Sequence, residues 1–92
     1  MIKKFKDKFL EELFNGDIQA TTKEHKKIRK RLDAIDSASK LENIRLPGYE
    51  LHELKGNKKG TWSIKTTGNW RITFRFEDGH AYDVNHEDYH KR

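Results

Sequence analysis

A chain of 92 residues forms one small domain, 1–92, and Leu, Ile, Val and Phe supply only 20 of them, so the Trp and Tyr residues must contribute heavily to its core. The absence of cysteine excludes disulfides and thiolate metal sites, and apolar runs of two or three residues exclude a membrane span or secretory signal, which together predict a cytoplasmic protein. Net charge is +5, with ten Lys/Arg against five Asp/Glu in residues 1–31 and ten against ten in 32–92, a balance that points to a polyanionic partner.

Phe5, Phe9 and Leu13 recur every four residues, with Ile2 and Leu10 nearby and Gly16 just beyond. This spacing predicts a three-turn amphipathic helix closed by a glycine cap. Thr21 followed by Glu24 reads as a capping box ahead of the Ile28, Leu32, Ile35 stripe, predicting a second helix over about 22–38. A short turn around Leu41 and Ile44 leads to Pro47-Gly48, where helix ends.

From Tyr49 onward the period falls to two, through Tyr49 and Leu51, Trp62 and Ile64, Trp70 to Phe76, and Tyr82 with Val84. Four antiparallel strands with one buried face follow. Three-residue loops at Thr66-Thr67-Gly68 and Glu77-Asp78-Gly79 set Ile64 against Trp70, Trp62 against Ile72, Phe74 against Tyr82 and Ile72 against Val84, keeping apolar residues together. The fold class is therefore α+β, two N-terminal helices packed on one face of a four-stranded antiparallel sheet. The opposite face is left open, carrying Ser63, Lys65, Arg71, Thr73, Arg75, Asp83 and Asn85, with His52 in the same phase.

His52, Lys55, Lys58, Lys59, Arg71 and Arg75 on that side, with the tail Asp88-Tyr89-His90, combine cations, imidazoles, a phenol and a carboxylate. Such a set suits a phosphodiester, whose cleavage needs a proton acceptor, charge stabilisation at the phosphorus oxygens and a proton donor for the leaving oxygen. Each member also has a plainer role: Arg71 and Arg75 as solvated charges or partners of Asp83, the loop lysines as solvated, His25 as surface, His80 and His86 as packed imidazoles, Trp62 and Trp70 as core. The spacings of His80, His86 and His90 fit no metal-ligand pattern, so no metal or other cofactor is expected.

The stretch "GYELHELKGNKKGTWSIKTTGNWRITFRFEDGHAYDVNHEDYH" closely resembles the HigB-type killer toxins of the RelE/ParE superfamily, through Leu51-His52-x-Leu54-Lys55-Gly56, Trp62-Ser63-Ile64, Asn69-Trp70-Arg71-Ile72, the Phe-x-Phe of 74–76 and the closing Asp88-Tyr89-His90. The early Lys/Phe pattern and Arg31-Leu32-Asp33-Ala34-Ile35-Asp36 extend the likeness over nearly the whole chain. It implies a RelE-like microbial RNase fold and a cytoplasmic toxin of a type II toxin-antitoxin module that cuts ribosome-bound mRNA in the A site by metal-free attack of a 2'-hydroxyl on the neighbouring phosphate. It also implies a helix-turn-helix, HigA-like antitoxin as partner. Carried over by residue, it places Arg71 and Lys55 on the phosphate, His90 as acid or base with Asp88 orienting it, Tyr89 against a nucleotide, and His52 as a second proton-transfer group. Ribosomal RNA binding is expected to draw on Lys26, Lys27, Lys30, Lys58, Lys59 and Arg75. A ParE-like gyrase inhibitor without enzymatic activity, and a nucleic-acid-binding module that cuts nothing, are the alternatives.

Overall fold

The computed structural model describes residues 1–89. Asp7 decides where the first helix starts. Its carboxylate accepts from Leu10 N at 2.9 Å, so α1 covers only Lys8–Asn15 and ends at Gly16 in the left-handed region. Ile2 and Phe5, expected inside that helix, lie instead in an extended segment running parallel to the last strand. The N–H groups of Lys3, Lys6 and Asp7 donate to Ala81 O and Val84 O, so the segment covers a sheet edge that would otherwise stay open. Three- and four-residue spacing mimicked a helical stripe; the cap shows where the helix ends.

α2 spans Lys23–Ser37. Its cap is Thr22 rather than Thr21: the Thr22 hydroxyl accepts from His25 N at 3.0 Å. Glu24 has a different use and receives the Thr67 hydroxyl at 3.0 Å, linking the helix to a hairpin loop. A 3-10 turn, Leu41–Ile44, then leads through Tyr49 to the sheet. This consists of β1 (His52–Glu53), β2 (Thr61–Lys65), β3 (Trp70–Glu77) and β4 (His80–Asp88), in spatial order β1-β2-β3-β4 and antiparallel throughout. The expected architecture of two helices and a four-stranded meander is present. Leu10 and Leu13 of α1 and Ile28, Leu32 and Ile35 of α2 form one core with Ile64, Ile72, Phe74, Ala81 and Val84 of the sheet.

Both hairpins differ from the expected register, for separate reasons. In the first, Ile64 pairs with Ile72 and Trp62 with Phe74, so the loop is Thr67-Gly68-Asn69, one residue further along. Face parity is unchanged. The second turn has two residues, Asp78 and Gly79, both at positive φ, with Glu77 opposite His80. A β-carbon on Gly79 would also sit 3.1 Å from Ser39 O. The extra residue that the alternation demands lies in the strand: the register shifts between Thr73 and Arg75, where Asp83 adopts φ 54 as a bulge. Tyr82 therefore pairs with Arg75 on the outer face instead of joining Val84 in the core, and Ile72 faces His86 rather than Val84.

Candidate functional site

Beyond the bulge, β4 places Asn85 opposite Thr73 and Glu87 opposite Arg71. β1 places His52 opposite Ser63. This juxtaposition builds the site. Arg71 was expected as an outward charge, yet it is only 9% exposed because its guanidinium lies along the sheet. Its Nε donates to Ser63 Oγ at 2.8 Å and its Nη2 to Glu50 O at 2.5 Å, with His52 Nδ1 3.3 Å from the same Nη2. Desolvation lowers the Arg71 pKa from its usual value, opposed by the Glu50 carboxylate and by Tyr89. Ser63 and Thr73, also assigned to an open face, are buried beneath these longer side chains.

His52 sits between two groups that ask for opposite tautomers. Arg71 is a donor only, so its contact calls for a bare Nδ1 and a proton on Nε2; the Glu50 carbonyl, 3.2 Å from Nδ1, calls for the reverse. Both contacts hold the exposed ring by its Nδ1 edge. Glu50 itself holds φ 47, which turns its carbonyl toward Arg71 and His52. No sequence pattern marks a main-chain acceptor of this kind.

Tyr89 closes the arrangement. Its N–H donates to Asn69 O at 2.9 Å, which fastens the end of β4 to the first hairpin. It borders two shallow depressions, one shared with Glu50, His52 and Arg71, the other with His52, Lys55 and Lys58. Four of the six residues assigned to catalysis, His52, Lys55, Arg71 and Tyr89, therefore converge. Asp88 stands opposite Trp70 in the ladder, in phase with His86 rather than with Glu87. His90 lies outside the described residues.

The cations assigned to RNA contact divide into groups. Lys58 pairs with Glu87 at 3.2 Å, and Lys59 is exposed in the same loop. Arg75 is four positions from Arg71, about 13 Å along an extended strand, and its charge is answered by Asp83 at 3.0 Å and Glu77 at 2.6 Å, as the pairing with Asp83 anticipated. Lys26, Lys27 and Lys30 are exposed on α2, in the helical layer rather than on the sheet face. Glu87 is a site residue that sequence reasoning passed over. Continuing the alternation one step beyond Asn85 would have found it. Burial alone would raise its pKa, but hydrogen bonds from Thr73 at 2.8 Å and from Lys58, with the Lys58 charge, bring it below the ordinary carboxylate value. Among the described residues no group of three or more His, Asp or Glu is placed to hold a metal ion.

Behind the site, Trp70 and His25 exchange their expected settings. Trp70, expected in the core, is 39% exposed and lies over His86 with ring centroids 4.6 Å apart, while His25, expected on the surface, is half-buried against Phe9. The Thr66 hydroxyl donates to Trp70 O and lies 3.1 Å from His86 Nε2. Burial lowers the His86 pKa, with Asp7 and Glu24 opposing. The fold thus favours the neutral ring, whereas the unfolded chain protonates near ~6.5, so this contribution to stability is complete above that value and declines as pH falls through it. The melting temperature should therefore drop between pH 7.5 and 5.5, and His86→Gln should flatten the drop; an unchanged slope would exclude His86 as its source.

Compared with known proteins, residues 3–90 match the model of the HigB-like toxin family, described as the RelE-like toxin of the type II toxin-antitoxin system HigB. The chain is 45% identical over 92 residues to "Endoribonuclease HigB" of Proteus vulgaris, covering 98% of this chain and all of the relative. It is 32% identical over 93 residues to "Toxin HigB-1" of Vibrio cholerae serotype O1, covering 91% of this chain and 93% of the relative.

Proposed function

Since the chain belongs to the HigB-like family of RelE-type toxins of type II toxin-antitoxin systems, we propose that it is an endoribonuclease that cuts mRNA on the ribosome, in the A site, and thereby arrests translation. The observation that carries this reading is the convergence of Arg71, His52, Lys55 and Tyr89 at the end of the sheet where β4 delivers its terminal residues.

The chemistry is transesterification. The 2'-hydroxyl oxygen of one nucleotide attacks the adjacent phosphorus as its proton passes to a base, the bond to the 5'-oxygen of the next nucleotide breaks, and that oxygen takes up a proton. The products are a 2',3'-cyclic phosphate and a 5'-hydroxyl. Arg71, held by Ser63 and Glu50, presents a fixed guanidinium to the charge that develops on the phosphoryl oxygens, and Lys55 adds a second cation. His52 and His90 supply the two proton transfers, with Tyr89 against a base. Asp88 has the part of orienting His90.

Entry into the ribosome needs a second surface, and the exposed Lys26, Lys27 and Lys30 of α2 are assigned to ribosomal RNA, with Lys59 beside the site. Reversing all three helix charges should weaken co-sedimentation with ribosomes and reduce its salt dependence, while the melting temperature holds. Equal co-sedimentation at every salt concentration would remove this role. The partner that restrains the toxin is a helix-turn-helix antitoxin, and the setting is the cytoplasm; among the described residues no helix is long and apolar enough to cross a membrane.

Primer extension on a translated message tests the reading. Cuts that require ribosomes and fall within codons are expected. Uncut message with inhibited DNA supercoiling would favour a gyrase inhibitor, and binding without either effect a passive module.

A further inference from the structure

On the same face as Arg71, but displaced toward the other end of β3, lies a depression of about 200 Å³ bounded by Lys58, Thr61, Thr73, Arg75, Asn85 and Glu87. It is poorly suited to a phosphate. Lys58 is paired with Glu87, and Arg75 with Asp83 and Glu77, so an incoming anion would meet carboxylates already seated beside two of its three cations, the third being the exposed Lys6. The depression instead offers neutral hydrogen-bonding groups around the Glu87 carboxylate, its other carboxylate, Asp83, being engaged by Arg75. The Thr73 hydroxyl donates to Glu87 Oε2 at 2.8 Å and Lys58 Nζ lies 3.2 Å from Oε1, which orient the carboxylate, while Thr61 and Asn85 complete the wall.

From this arrangement we infer that the depression is a nucleobase pocket selective for bases that carry an exocyclic amino group, with the Glu87 carboxylate as the acceptor that reads it. The inference rests on the ribonuclease reading of the neighbouring site. Lys58 lines both this depression and the one formed by His52, Lys55 and Tyr89, so the two are contiguous along the face. Adenine, cytosine and guanine each present an amino group, and guanine adds N1–H beside it. Uracil presents a single N3–H between two carbonyl oxygens, and these oppose a carboxylate. A negatively charged, donor-free side chain thus admits three bases and disfavours the fourth.

The test is a titration of the full-length chain with AMP, CMP, GMP and UMP, followed by amide chemical shifts. Shifts at Thr73, Asn85 and Glu87 are expected for the first three, with UMP about 5- to 150-fold weaker, the range of one well-formed base contact. Glu87→Gln, close in shape but neutral and able to donate, should remove most of that gap. Thr61→Val lines the depression without bonding Glu87 and keeps the proposal testable if Glu87→Gln unfolds: it should weaken all four nucleotides and preserve their order. UMP binding as tightly as the others, an unchanged order in Glu87→Gln, unaltered affinities in Thr61→Val, or shifts confined to His52 and Tyr89 would each overturn the pocket. Primer extension separates the two readings. Message cut by a protein without nucleotide ranking overturns the pocket and leaves the nuclease standing; ranked binding with uncut message does the opposite.

Discussion

Arg71→Ala should lower the rate of mRNA cleavage by ~10²- to 10³-fold, the usual cost of removing one preorganised contact to transition-state charge. The expectation rests on how Arg71 is held. Two protein acceptors, Ser63 Oγ and Glu50 O, fix the guanidinium, and partial desolvation strengthens its field on an adjacent phosphate. Because the side chain is buried, alanine also strips Ser63 and Glu50 of their donor, so part of any loss could come from a looser fold. Arg71→Lys separates the contributions. Lysine keeps the charge but lacks the planar fork that spans both acceptors, so it should melt close to wild type and recover only part of the lost rate. Wild-type cleavage by the alanine variant, measured as initial rates of primer-extension product on purified ribosomes, would remove Arg71 from the chemistry.

Removing residues 90–92 should abolish growth arrest on induction while circular dichroism and melting stay near wild type. Truncation after Glu87 is a less clean experiment, because Asp88 still pairs with Trp70 and Tyr89 N–H holds Asn69 O. Cutting after Tyr89 keeps both the Asp88–Trp70 pairing and the Tyr89 N–H bond to Asn69 O. A positioned general acid or base contributes ~10² to 10⁴ in rate, and His90→Ala alone should reproduce the loss. A truncated protein that still arrests growth would show that the tail is dispensable, leaving His52 to perform proton transfer with another group.

The parts of the molecule that announce themselves in sequence are those with local causes. The Ile28, Leu32, Ile35 stripe, the Gly16 cap and the strand over 70–76 with Ile72 and Phe74 in the core each reflect a repeating backbone geometry, and each is found as expected. Failures arise where a distant contact decides. Ile2 and Phe5 have helical spacing but bond to β4, whose exposed edge lies about eighty residues away in the chain. The extra residue near Asp83 could be assigned to the turn or to the strand on pattern alone. The pairing of Glu77 with His80 and the positive φ of Asp78, Gly79 and Asp83 settle it as a two-residue turn with a bulge.

The candidate site follows the same division. His52 and Arg71 fall on one face by phase, and the structure sets them 3.3 Å apart. What surrounds them was not legible: the Glu50 carbonyl acts through backbone conformation, and Ser63 becomes a ligand of Arg71 only because β2 and β3 align Ser63 with Thr73 and Lys65 with Arg71. Arg75 looked equivalent to Arg71 in the alternation, yet the bulge that brings Asp83 beside it neutralises its charge. Two arginines four positions apart on one strand thus have different surroundings, Arg71 held by Ser63 Oγ and Glu50 O and Arg75 paired with Asp83 and Glu77.

The account is tested most directly by the chemistry of the RNA ends left on a message cut by the purified protein on programmed ribosomes. A 2',3'-cyclic phosphate on the upstream fragment and a 5'-hydroxyl on the downstream one are predicted, with both lost in Arg71→Ala. Fragments bearing a 5'-phosphate, or a message left whole, would contradict it.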